Sequence, residues 1–194
     1  MKKQDVIEFF DRLAPQWDAD MIRHEDVIAK ILDGAGVKPG VKVLDVACGT
    51  GVLIPDYLER QVASVTGVDI APEMIRIASG KFPQENVKFL CGDVEEIALE
   101  ERYDVIMVYN AFPHFPEPER LVRVLSGLLA PGGRLTIAHG MSRAAIDNHH
   151  SGTASKVSCG LISEHVLAAM MRKYLTLEVK ISDDRMYQVT GRKG

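Results

Sequence analysis

The sequence predicts a single doubly wound α/β domain with a mainly parallel, seven-stranded sheet that finishes in an antiparallel edge hairpin. Three observations predict it. From residue 41 onward, short Val/Ile/Leu runs alternate with helical patterns, which is what strands buried on both faces require. The first of these runs enters a small-residue turn, Ala47-Cys48-Gly49-Thr50-Gly51, and helix follows directly. The last two runs are separated only by Ser182-Asp183-Asp184, a connection too short for a parallel crossover.

The elements can be justified in order. Val6, Ile7, Phe9, Phe10 and Leu13 recur at helical spacing up to Pro15, and Val27, Ile28, Ile31 and Leu32 repeat the pattern up to Gly34, which reads as a stop. Five apolar runs then read as buried strands: Val41–Val46, Ala63–Val68, Val87–Leu90, Val105–Val108 and Arg134–Ala138. Helical patterns lie between them near 52–60, 72–80 and 118–129, and the acidic stretch 93–101 is a helix or loop. Leu175–Ile181 and Met186–Thr190 form the terminal hairpin. At 194 residues the chain suits one domain with a sizeable core.

Composition narrows the function classes. Hydrophobic residues make up 46% and charged residues 26%, and the formal net charge of −4 offers no pull toward phosphate backbones. The expected partner is a small molecule and not nucleic acid. Cys48, Cys91 and Cys159 form neither metal-type pairs nor a disulfide framework, so a reducing cytoplasm is the expected compartment. The start lacks a signal-peptide run, and no stretch of about 18 apolar residues occurs, so no membrane span is expected. No feature of the chain specifies an oligomeric state.

The segment from Val43 to Gly51 carries the most chemistry. Glycines in such a turn permit positive φ and let a ligand approach the backbone, and the helix that follows offers free N–H groups. A Gly-x-Gly turn also serves merely to reverse a chain. The next strand, however, ends in Asp69, where a carboxylate can accept both hydroxyls of a ribose; its plainer role is to cap the helix that Pro72 begins. A dinucleotide fingerprint needs a third glycine where Ile54 stands, which disfavours NAD, and no Gly-Lys-Ser/Thr follows for a Walker loop.

Val43-Leu44-Asp45-Val46-Ala47-Cys48-Gly49-Thr50-Gly51, followed by Val68-Asp69-Ile70-Ala71-Pro72-Glu73-Met74-Ile75, resembles the first two motifs of the class I S-adenosylmethionine (SAM)-dependent methyltransferases. Cys91-Gly92-Asp93-Val94 resembles the third, Tyr103–Ile106 enters the fourth strand, and Leu128–Leu135 is similar to the family's helix–turn–strand signature. Phe10–Asp18 resembles the segment that folds over the cofactor in quinone-type methyltransferases. The resemblance covers about residues 8–138. It implies a Rossmann-like domain in three parts: a lid over 1–35, a SAM-binding core over 36–140, and acceptor-side helices with the hairpin over 141–194. It also implies SAM as cofactor and S-adenosylhomocysteine (SAH) as product. Asp45, Gly49 and the backbone at Ala47 and Gly51 would face the methionine end, Asp69 the ribose, Ile70 and Met74 the adenine faces, and Asp93 with Val94 the adenine edge. Asn110 and Trp17 complete the cofactor set. Ala71 stands where the family usually caps the second helix with Ser, and the quinone enzymes are longer, which argues against a bulky isoprenoid acceptor.

The acceptor side rests on position alone. Ligands of open α/β sheets gather at strand carboxyl ends, which nominates Tyr109, Asn110 and His114 after the fourth strand and His139 after the fifth, with Arg143, His149 and His150 beyond. His114 and His139 are the candidate bases; Tyr109, Arg143, His149 and His150 are candidate acceptor contacts. Each also has a plain reading: His114 as a brace of the cofactor pocket, and the polar run 143–150 as a solvated connector. Adjacent His149 and His150 diverge on a helix, and positions 145 and 146 are Ala and Ile, so no metal site is expected. The segment Asn110-Ala111-Phe112-Pro113 fails the signature of nucleic-acid amino-methyltransferases. An NAD-dependent oxidoreductase and a non-catalytic SAM-binding module are the rival readings.

Overall fold

A computed structural model describes residues 1–19, 21–150 and 156–194, with the side chains of 148–150 excepted. The elements in chain order are α1 (Lys3–Trp17), α2 (Glu25–Ala35), β1 (Lys42–Val46), α3 (Ile54–Glu59), β2 (Ser64–Asp69), α4 (Pro72–Lys81), β3 (Val87–Cys91) and β4 (Tyr103–Tyr109). A single 3-10 turn, Phe112–His114, then leads to α5 (Pro118–Leu128), β5 (Leu129–His139), α6 (Arg143–His150), α7 (Glu164–Met171), β6 (Thr176–Ser182) and β7 (Tyr187–Arg192). Every expected strand is present. The acidic stretch 93–101 is non-helical.

The seven strands lie in the order β3-β2-β1-β4-β5-β7-β6. Six run in one direction, β1 to β5 as parallel neighbours, and β7 runs antiparallel between β5 and β6. The inner strands read as apolar runs because both faces are covered. Leu44, Val46, Ile106 and Val108 pack on one face with Leu121, Val122 and Leu125 of α5. Val43, Val65, Val105 and Met107 pack on the other with Ile28, Ile31 and Leu32 of α2. Each such fully buried aliphatic contributes about 1.5–3 kcal/mol against exposure. By contrast β6 alternates between exposed and half-buried residues, as an edge strand does. The order of strands reverses between β1 and β4, so the ligand crevice of this topology opens beyond the carboxyl ends of those two strands.

Two expected helix ends are corrected. α1 runs through Pro15 to Trp17 instead of ending at the proline. Trp17, with Phe10 edge-on to it at 5.7 Å, packs against Ala71 and Met74 at the start of α4, and that tertiary contact holds a last turn that local propensity alone would not. α2 likewise passes through Gly34 and ends at Gly36, whose φ of 78° and N–H bonds to Asp33 and Leu32 carbonyls form the cap. The helix continues because Ile31, Leu32 and Ala35 on either side are buried, and Gly34 itself is required by packing: a Cβ there would lie 2.7 Å from the Gln188 amide nitrogen, where β7 crosses α2.

Candidate active site

The turn after β1 is shaped by backbone more than by side chains. Ala47 adopts φ 54°, Gly49 56° and Gly51 86°. A left-handed alanine is uncommon and costs of order 1–3 kcal/mol, a strain that collects at ligand sites. Asp69, at the end of β2, braces this turn. Its Oδ2 accepts from the Gly49 N–H at 2.9 Å and its Oδ1 from the Ala71 N–H at 2.8 Å. The capping and ligand readings of Asp69 therefore coexist, since each oxygen keeps a second lone pair. The N–H that Ser at position 71 would cap, that of Glu73, is taken instead by Asp11 of α1. Burial pushes the Asp69 carboxyl up, with the two backbone N–H bonds pulling the other way. Burial pushes Asp45 further, to about 8, and neighbouring Asp69 and Asp56 add to the rise.

The mirrored feature lies across the switch point. Asn110, directly after β4, has φ 54°, and its side-chain oxygen accepts from the Gly140 N–H at 2.9 Å. That bond ties the ends of β4 and β5 together and carries Tyr109 and His139 to the same crevice. Burial raises the Tyr109 hydroxyl above its usual range. His139 is 2% exposed, its ring edge-on to Tyr187 at 6.0 Å. His114 closes the 3-10 turn, and its Nδ1 lies 2.6 Å from the Val157 carbonyl oxygen. A carbonyl only accepts, so Nδ1 carries the proton and Nε2 is the acceptor nitrogen of the neutral ring.

These groups converge on one cavity of about 680 Å³. Asp45, Ala47, Gly49, Asp69, Ile70, Met74, Asp93, Val94, Tyr109, Asn110, His114, His139 and Trp17 all line it. Helix α1 forms its roof, with Phe9, Phe10, Leu13 and Trp17 facing inward and Phe10 edge-on to the His114 ring at 5.0 Å. Polar contacts fasten the roof along its length. Lys3 pairs with Asp93 and Glu96, Asp11 accepts from the Glu73 N–H at 2.9 Å, and Asp18 bonds Thr50 and Lys81.

Two expected placements change. Gly51 does not line the cavity; a Cβ there would lie 2.6 Å from the Phe82 ring and 3.1 Å from Ile54, so its glycine serves packing of the turn. Arg143 is also absent from the cavity wall. Its Nε donates to the Leu161 carbonyl at 3.0 Å and lies 3.8 Å from Asp147, which fastens α6 to the following loop. The side chains of His149 and His150 lie outside the described residues. The described wall also contains Met21, Ile22, Met141 and Ile146, and Glu95 with Arg120. Ile146 was hidden because its segment reads as polar, and Glu95 because its stretch carries no periodicity. Among the described residues no group of three or more His, Cys, Asp or Glu is disposed to hold a metal, and no helix is long and apolar enough to cross a membrane.

Known proteins agree with this geometry. A methyltransferase-domain family model matches residues 44–137. The ubiquinone biosynthesis O-methyltransferase of Coxiella burnetii is 35% identical over 99 residues, 50% of this chain and 42% of that protein. Its counterpart in Xanthomonas campestris pv. campestris is 31% identical over 150 residues, 70% of this chain and 60% of that protein. The chain thus spans about half the length of the curated relatives it matches. The N-methyltransferase NodS of Bradyrhizobium japonicum, solved with SAH, shares the fold at a TM-score of 0.74 and 15% identity, over 100% of this chain and 99% of that one. The motif turn, the acidic strand ends and these likenesses identify residues 44–137 as a methyltransferase domain of the class I, SAM-binding kind.

Proposed function

We propose that the protein transfers the methyl group of SAM to a small, uncharged and largely apolar acceptor bearing one protonated heteroatom, and releases SAH. The observation that carries the reading is the distribution of charge around a single cavity. Its charged lining residues, Lys2, Lys3, Asp45, Asp69, Asp93, Glu95, Glu117 and Arg120, come from the start of α1, the ends of β1 to β3 and the start of α5. The described residues beyond β4 and β5 and along the lid linker are neutral there: Tyr109, Asn110, His139, Met141, Met21 and Ile22.

The first side fits the cofactor. Gly49 leaves room where a Cβ would project toward Trp17 and Met74, at 3.8 and 4.0 Å. Asp69 has lone pairs left for a ribose diol, and the buried Asp45 suits a cationic group whose approach would favour its ionised form. SAM supplies a methyl group already activated on a sulfonium, so the protein must mainly position the acceptor and exclude water. The fastened roof of α1 does the second. For the first, the neutral wall around Tyr109 and His139 would hold an apolar body. His114 would take the acceptor proton on Nε2, since the Val157 carbonyl fixes its tautomer from the other side.

The test is SAH release by the purified chain with SAM and a panel of small phenols, alcohols, amines and carboxylates. Turnover should favour the uncharged hydroxyl compounds. His114→Ala should lower turnover about 100-fold or more while leaving SAH affinity near wild type. If the wild type binds SAH yet releases none with any acceptor, the protein is a SAM-binding module and not an enzyme.

A further inference from the structure

Helix α4 begins without a cap of its own. Ala71 stands at its N-cap in extended backbone and offers no side-chain acceptor. Pro72, the first helical residue, has no N–H, and the Ala71 N–H is already taken by Asp69 Oδ1. The next donor is the Glu73 N–H, and its acceptor comes from 62 positions away: Oδ1 of Asp11, in the middle of the roof helix α1, at 2.9 Å. The two helices are joined along their length. Ala14 of α1 packs with Ala71 and Met74, and at the far end Asp18 pairs with Lys81, the last residue of α4. Burial raises the Asp69 carboxyl and Asp11 adds to that rise, so a second carboxylate is unwelcome there; the N-terminus of α4 is what favours it. The turn that Asp11 caps belongs to the cavity wall. Asp69, Ile70 and Met74 line the cavity, whereas Asp11 does not.

We propose that Asp11 is a positioning residue of the cofactor site: it supplies from the lid the N-terminal cap that α4 lacks, so the first turn of α4 is fully ordered only while α1 is shut over the cavity. The proposal rests on the SAM reading above. Closing the roof and ordering the wall beneath it are then one event. A cofactor that touches Ile70 and Met74 is held more tightly under the closed lid, and by linkage it holds the lid closed. A serine at position 71 would cap the same turn locally and remove this dependence. Alanine there leaves the turn to the lid.

Hydrogen exchange at the Glu73 amide and calorimetry with SAH, both on the full chain, test the coupling. Asp11→Ala should speed Glu73 exchange in the ligand-free protein about fivefold or more and weaken SAH by a similar factor, which is the usual cost of a lost cap. Asp11→Asn keeps a side-chain oxygen and should hold both readouts within about twofold of wild type. The Asp11→Ala/Ala71→Ser double variant should recover both, since the serine hydroxyl can accept from the same N–H once the lid residue is gone. Recovery by a change on α4 is what a plain loss of lid packing would not allow. An Asp11→Ala protein that binds SAH as the wild type does overturns the proposal, and so does a weakened one that the double variant folds but fails to restore. Should the double variant not fold, Asp11→Asn decides: loss of Glu73 protection and of SAH affinity with the amide in place overturns the cap. No SAH binding by the wild type would instead overturn the cofactor reading, and this proposal with it.

Discussion

The cavity is one space with two differently built walls. Beyond β1, β2 and β3 the wall is made by the backbone and by carboxylates that brace it. Ala47 and Gly49 hold left-handed conformations, Asp69 accepts two N–H groups of the turns on either side of it, and Asp93 locks the turn that carries Glu95. Beyond β4 and β5 the backbone contributes one tie, Asn110 to Gly140, and the rest is side-chain surface from a linker, a roof helix and α6. A wall made from strained backbone accepts few substitutions and serves one ligand. A wall made from Met, Ile and aromatic side chains can be resurfaced without disturbing the sheet. A fixed cofactor and a variable acceptor require that division.

The strongest way to break this contrast lies within the motif turn itself. Gly49 and Gly51 look equivalent in sequence, but Gly49 borders the cavity and Gly51 the Phe82 ring. Gly51→Leu combines a left-handed φ with overpacking and should cost about 3 kcal/mol or more, lowering Tm by roughly 10 °C. Gly49→Ala should lose only about 1 kcal/mol of stability but weaken SAH about tenfold or more, since its Cβ enters ligand space. Thermal unfolding and calorimetry on both variants decide it. A stable Gly51→Leu protein with impaired SAH binding would put Gly51 back among the cofactor contacts.

The same contrast explains what could be read without a structure. That Ala47, Gly49 and Asp69 border the crevice was legible because a small-residue turn, or a carboxylate where an apolar run stops, leaves a local mark, whereas Asp93 is reached only through the resemblance to the family's third motif. The mainly parallel sheet with its antiparallel edge pair was legible in the apolar runs and the short 182–184 turn, whereas the order of the strands is a tertiary fact that no local mark carries. Arg143 was misplaced because position along the chain says where a residue begins and not where its side chain turns; the Leu161 carbonyl, far along the chain, decided that. Ile22, Met141 and Ile146 were invisible since an apolar residue in a cavity wall looks like any other. Pro15 and Gly34 misled because local breakers yield to burial of the residues beyond them, Trp17 against Ala71 and Met74 and Ala35 in the core.

The electrostatics of the backbone-built wall can be sharpened by pH. Asp45 rises to about 8 through burial, helped by Asp69 and Asp56, against about 3.9 in an unfolded chain. The native state therefore binds more protons than the unfolded one between about pH 4 and pH 8. The resulting stability is fully present below about pH 4 and is lost as pH rises toward 8, by at most about 1.4 kcal/mol per pH unit. Comparing wild type with Asp45→Asn isolates this slope from that of Asp69, which has the same sign. The wild type should lose stability relative to the variant from pH 5 to about 8. Saturating SAH, which carries an ammonium, should flatten the difference. Parallel profiles without ligand would mean that Asp45 is not the titrating group.

The smallest expected effect tests the other wall. Arg143 makes a hydrogen bond to Leu161 and a 3.8 Å pairing with Asp147, and its side chain is 44% exposed. Such exposed contacts are worth about 0–1 kcal/mol, so Arg143→Ala should leave Tm within a few degrees and turnover within about twofold. His139→Ala is the control. Its ring is buried in the cavity wall between the end of β5 and Tyr187, so turnover should fall about tenfold or more while SAH affinity changes little. The pair matters because an anionic acceptor would need a cation on this side, and Arg143 is the nearest guanidinium in sequence to the end of β5. Should Arg143→Ala lose most of kcat/KM through a raised KM with kcat retained, Arg143 must swing into the cavity to bind substrate. The acceptor would then be an anion and the neutral wall would be misread. Should only His139→Ala respond, the polar run after β5 is a connector, and acceptor choice lies with His139, Tyr109 and the apolar residues of the roof and linker.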